Sequence, residues 1–227
     1  MAIKENDFIE VDYNGKLQED SVVFDTTNEQ VAKDSGIYQE GQKFGKVIIC
    51  IGEDHILKNL EKQLIGKEPG KHTIPLKAED AFGKKSAKMV QLISAAKFTK
   101  EGIQPQVGLQ VNVDGMFGIV RSVTGGRVLV DLNHPLAGKD VVYDINVFRI
   151  ITDVKEKAQG LLDLQFGQGA TSSELKEDEL NVTLNFDLPE DYQGKFTEKI
   201  QELIPEVKKV SYSKQASQVP ASEAKTE

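Results

Sequence analysis

Residues 54–65 carry the clearest helix signal of the chain, with strand patterns on both sides of it. Asp54 is a fitting N-cap. Ile56, Leu57, Leu60, Leu64 and Ile65 recur at helical spacing and form one apolar stripe. Gly66 suits the left-handed residue that ends a helix. Before it, Ile9, Val11 and Tyr13 alternate with Glu10 and Asp12, Val22–Phe24 reads as a second strand, and Val47–Ile51 as a third. After it, Pro69-Gly70 turns into Thr73–Leu76. One short amphipathic helix among several strands implies an α+β fold. Residues 26–46 are polar and glycine-containing and read as a long loop of the kind that often carries function.

The texture then changes. Val111/Val113, Gly118–Val123 and Val128/Val130/Leu132 are short β signals, separated by Asp114-Gly115 and Gly125-Gly126. Asn133-His134-Pro135-Leu136-Ala137-Gly138 is built from turn formers. A long strand follows, Val141–Ile151, with Tyr143, Ile145 and Val147 on one face. Val154–Phe166 reads as a helix weakened by Gly160, and Ser172–Glu179 as an acidic polar stretch. Val182/Leu184/Phe186, then Phe196/Ile200/Leu203/Ile204, then Val207/Val210/Tyr212 give a β-α-β pattern. Too few large apolar groups lie here for an independent core, so this segment must pair with the rest of the chain or with a second copy. From Gln215 onward there is neither aromatic residue nor periodicity, and a disordered tail is expected.

Composition narrows the function. The formal charge of −8 opposes binding to nucleic acid or an anionic membrane. No apolar run is long enough to cross a bilayer, and the N-terminus lacks the apolar centre of a signal peptide, so a cytoplasmic protein is expected. Cys50, the single cysteine, reads as a small buried hydrophobe. His55, His72 and His134 have no metal-ligand spacing. Phosphate-cradling, dinucleotide and nucleophile-elbow motifs are missing. No cofactor and no metal are expected, and an enzyme of this kind must work with apolar surface, hydrogen bonds and shape.

Five segments in order resemble the FKBP-type peptidyl-prolyl isomerases. Val11-Asp12-Tyr13-Asn14-Gly15 and Val23-Phe24-Asp25-Thr26-Thr27 resemble the first two signatures. Ile51–Leu60, running on through Gly66, resembles the strand–turn–helix of the pocket floor, and Ala81-Phe82-Gly83 the flap. The hexapeptide 133–138 with Val142-Tyr143-Asp144-Ile145 resembles the return from an insert-in-flap domain, as in SlyD-like members, and above all the long archaeal ones.

The resemblance implies an antiparallel sheet wrapped on a short helix, interrupted by a small β-rich insert and followed by a small α+β domain. The implied division is 1–85 plus 138–153 for isomerase, 86–137 for a chaperone insert, 154–214 for a C-terminal domain with a homodimer as candidate, and 215–227 for the tail. Tyr13, Phe24, Leu60 and Tyr143 would line the pocket, Ile56 would present a backbone group with Leu57 beside it, and Asp25 at the rim would accept from the Tyr13 hydroxyl. Phe82 takes a flap position often held by tyrosine, and Leu60 one held by tryptophan in small members. Met116, Phe117 and Val120 are candidates for the client surface or, equally, for the core of the small β domain. The implied partners are unfolded or partly folded, proline-containing proteins. The competing reading is a catalytically weak or inactive holdase; an RNA-binding β protein is disfavoured by charge.

Overall fold

The computed structural model describes residues 1–214. The first part holds β1 (Phe8–Leu17), β2 (Val23–Thr26), α1 (Glu29–Asp34), β3 (Val47–Cys50), α2 (Lys58–Leu64) and β4 (Gly70–Leu76). Then come β5 (Val90–Ser94), α3 (Ala95–Lys100), β6 (Gln110–Val113), β7 (Met116–Thr124) and β8 (Arg127–Asp131). The chain continues through β9 (Val141–Ile151), α4 (Val154–Phe166), β10 (Thr171–Lys176), β11 (Glu179–Leu184), α5 (Glu190–Leu203) and β12 (Lys209–Lys214). The fold is α+β. Its largest sheet runs β2-β1-β9-β4, with β3 antiparallel to β1 from Phe8↔Cys50 to Val11↔Val47.

Two compact units emerge. One comprises 1–14, 23–73 and the chain from 144 onward; the other comprises 15–22 and 74–143. This cuts the chain differently from the four segments read in the sequence. In the first unit, α4 and α5 pack with β11 around Leu162, Val182, Phe196 and Ile200, and the same cluster takes in Phe8, Cys50 and Ile151. The C-terminal segment thus completes its core with side chains of the N-terminal sheet, which answers its shortage of apolar groups. Gly160 has a packing reason: a Cβ there would lie 2.7 Å from Cβ and Cγ2 of Ile48, so α4 meets β3 at backbone distance.

In the second unit, β5-β8-β7-β6 form a four-stranded antiparallel sheet. Its inner face gathers Val111, Val113, Val120, Val128 and Val130 with Phe98 of α3. The segments entering and leaving this sheet are bonded to each other. Asn133 Oδ1 accepts from the Ser86 N–H at 2.7 Å, Asn133 Nδ2 donates to the Ser86 carbonyl at 3.1 Å, and the Gly138 N–H donates to the Gly83 carbonyl at 2.8 Å.

Four local readings are corrected. The helix at 54–65 is shorter, because Asp54 has φ 55 and the backbone from Gly52 to Leu57 forms a loop before α2. The loop 26–46 contains α1, capped by the Asn28 side chain, which accepts from the Val31 N–H at 3.0 Å. The insert contains α3, capped by Ser94. The polar stretch 172–179 is a hairpin, β10 against β11 from Thr171↔Leu184 to Lys176↔Glu179, with Glu177 at positive φ in its turn. The tail expected from 215 lies outside the described residues. Among the described residues no helix is long and apolar enough to cross a membrane.

Candidate functional site

Three elements of the first unit carry the residues singled out for chemistry. β1 delivers Tyr13, β2 delivers Phe24 and Asp25, and α2 with the loop before it delivers Leu60 and, on the loop, Ile56 and Leu57. The Tyr13 hydroxyl donates to the Asp25 carboxylate. Burial holds the Tyr13 phenol above its ordinary range, and the Asp25 charge adds to this. Burial also raises Asp25, against the donors that lower it, the Thr26 N–H and the Tyr13 hydroxyl. A cleft of about 500 Å³ opens at Phe24 and Asp25, with Ile37 and Phe44 among its walls.

Leu60 is fully buried, while Ile56 and Leu57 are half-buried on the loop in front of it. That loop is organised by Glu61, a residue the sequence reading passed over. Its carboxylate, 2% exposed, accepts from the N–H groups of Gly52 at 2.8 Å, Asp54 at 3.3 Å and Ile56 at 3.2 Å. Its signal in the sequence was an acid in the first turn of α2, reaching back to backbone donors as in a capping box. The expectation that Ile56 offers its backbone outward is therefore corrected for the N–H, which Glu61 holds. The Leu57 N–H has no acceptor among the described residues.

His55 is structural. Its Nδ1 accepts from the Cys50 N–H at 3.1 Å, and burial pushes the imidazole below its ordinary value. Cys50 is buried, and burial with nearby Glu53 and Glu61 pushes its thiol up to about 12, which suits a core side chain and not a nucleophile. Among the described residues no group of three or more His, Cys, Asp or Glu could hold a metal ion.

Phe82 and Tyr143 fall in the second unit. Tyr143 is buried at the start of β9. Phe82 stacks on His134 with centroids 4.8 Å apart and planes 2° from parallel, a partnership the sequence did not suggest. Of the client-surface candidates, Phe117 is 78% and Met116 40% exposed, but Val120 is fully buried. Val120 is corrected to a core residue. The alternation along β7 turns it inward with Val128 and Val130, whereas Phe117 faces outward with Leu92 and Leu129.

Comparison with known proteins gives the class, a peptidyl-prolyl cis-trans isomerase. Residues 1–106 match the family described as FKBP-type peptidyl-prolyl cis-trans isomerase, and residues 91–136 match that described as FKBP26, IF domain. The short-type peptidyl-prolyl cis-trans isomerase of Methanocaldococcus jannaschii is 31% identical over 146 residues, 64% of this chain and 92% of that protein. The FKBP-type 16 kDa isomerase of Escherichia coli K12 is 37% identical over 106 residues, 44% of this chain and 70% of that protein. The isomerase SlyD of Vibrio cholerae is 31% identical over 105 residues, 44% of this chain and 51% of that protein. The chain belongs to the FKBP-type peptidyl-prolyl cis-trans isomerase family and is an isomerase enzyme of SlyD-like kind.

Proposed function

We propose that the isomerase works by holding a prolyl peptide against Tyr13, Phe24 and Leu60, with the Leu57 N–H as the donor that orients it and the Tyr13–Asp25 pair at the rim. The observation that carries this reading is the Glu61-held loop. It holds the Ile56 N–H from within and leaves the neighbouring Leu57 N–H without an acceptor among the described residues. The peptide bond has a barrier of about 18–20 kcal/mol because of its resonance, and X–Pro bonds turn over in tens to hundreds of seconds. The twisted transition state has lost that resonance and is less polar. An apolar enclosure therefore favours it over either planar isomer, and each ~1.4 kcal/mol of preference is worth about tenfold in rate. No bond to the enzyme forms. Phe24→Ala and Leu60→Ala test this: each should lower kcat/KM for a short proline peptide, and unchanged values would overturn it.

The insert is proposed as the client-holding part. Phe117 and Leu92, 78% and 58% exposed, share the outer face of its sheet, and β5 and β6 are its edges. An unfolded chain can add to an edge strand and rest apolar side chains on that face. Holding the client raises the concentration of its prolines at the isomerase. Phe117→Ser with Leu92→Ser should leave short-peptide isomerisation intact and slow the catalysed refolding of a proline-limited protein. An equal effect on both assays, or on neither, would sink the reading. Catalysed refolding also separates it from the holdase alternative, which predicts suppressed aggregation with no gain in rate. A homodimer through 154–214 is proposed from the two edges, β10 and β12, of the three-stranded sheet. Sedimentation of the full chain as a monomer at micromolar concentration would refute it.

A further inference from the structure

We propose that α5 positions the catalytic loop: Lys199 grips Glu53 and so helps to fix the Gly52–Leu57 backbone that carries the Leu57 donor. This rests on the reading of that donor given above.

Besides the exposed Asp54–Lys58 pair, three ties hold the loop. From α2, Glu61 takes three of its N–H groups, and at its entry His55 takes the Cys50 N–H. The third comes from the far end of the chain, where the Lys199 ammonium pairs with the Glu53 carboxylate. The Glu53 side chain is 17% exposed, so little water competes for it, while Lys199 at 41% keeps part of its hydration. Glu202, the other acid near Lys199 at 3.4 Å, is 69% exposed and the weaker competitor.

A flexible lysine on a loose helix would position nothing. Lys199 is not on one: its helix neighbours Phe196 and Ile200 are buried in the cluster that also holds Cys50, the last residue of β3. The helix that carries the ammonium and the strand end that feeds the loop therefore share one close-packed core, and neither shifts without the other. A pair of this exposure adds little to global stability, so its effect should be local.

The test uses the full chain. In Lys199→Met the amide of Ile56, donated to Glu61, should exchange at least about threefold faster, and kcat/KM for a short proline peptide should fall by about threefold. The denaturation midpoint should stay in place. Lys199→Arg should restore both readings, and Lys199→Glu with Glu53→Lys should restore part of each. Wild-type exchange and kcat/KM in Lys199→Met would overturn the proposal. So would equal losses in the Met and Arg variants with a lowered midpoint, which would mark a general loosening. Phe24→Ala and Leu60→Ala serve as controls for the underlying reading. If they lower kcat/KM and Lys199→Met does not, only the role of α5 fails; if they leave it unchanged, the pocket reading itself fails.

Discussion

The Tyr13 hydroxyl donates to the Asp25 carboxylate from a neighbouring strand of the same sheet, and burial raises both groups above their ordinary titration ranges. The bond helps Asp25 to stay ionised where desolvation opposes it. With its folded pKa raised from 3.8, Asp25 contributes stability that is full below that value and is lost as pH rises through the folded pKa.

Tyr13→Phe removes the donor and leaves the burial. Asp25 should then titrate at higher pH than in the wild type, shifting the window of pH-dependent stability upward. Titration of the Asp25 carboxyl by NMR checks the sign; a downward shift would contradict the pairing.

Glu61→Gln should be among the costliest conservative changes in the chain. The carboxylate satisfies three N–H groups, whereas a glutamine turns a donor toward them and leaves buried groups unpaired. A loss of about 2–4 kcal/mol is expected from denaturant unfolding, together with reduced peptide isomerisation because the loop before α2 loses its anchor. A loss confined to a few tenths of a kcal/mol would show that the loop holds without it.

Gly160→Ala pits helix propensity against packing. Alanine favours a helix interior by about 1 kcal/mol. The new Cβ meets Ile48 at 2.7 Å, and overpacking of this kind costs about 1–3 kcal/mol. The net effect should be a lower Tm, and a raised Tm would mean that α4 can lift from β3 freely.

Acid should weaken the loop through His55. Its neutral Nδ1 accepts the Cys50 N–H, and its folded pKa lies below the ordinary 6.5. At pH above 6.5 both folded and unfolded forms are neutral and nothing is lost. As pH falls below 6.5 the unfolded chain takes up the proton first, so stability declines until the folded pKa is reached. Unfolding free energies measured between about pH 5 and 7 should show this slope, and His55→Gln should flatten it.

Elements with strong alternation or a full apolar stripe were legible in the sequence. β9 and α4 occur as read, because Tyr143, Ile145 and Val147 alternate and Val154–Phe166 has both a capping Asp153 and a consistent inner face. α1 and α3 were missed because they are six residues each, too short for a periodic stripe, and declare themselves only through the caps Asn28 and Ser94. The start of α2 was misplaced because Asp54, a good cap by type, stands at positive φ while Glu61 holds the preceding backbone out of the helix. Val120 was left between surface and core, because the inner face of β7 is fixed only by its register with β8.

By itself the sequence determined the family, through motifs in a fixed order, and the elements long enough to show a period, such as β1, β9 and α4. Tertiary structure alone decided which of two adjacent amides stays available, that Glu61 and Lys199 act on one loop, and that the C-terminal helices finish the core begun by Phe8 and Cys50. Those are relations between residues distant along the chain. They depend on how desolvated charges find partners and how apolar faces find cover, which no local pattern encodes.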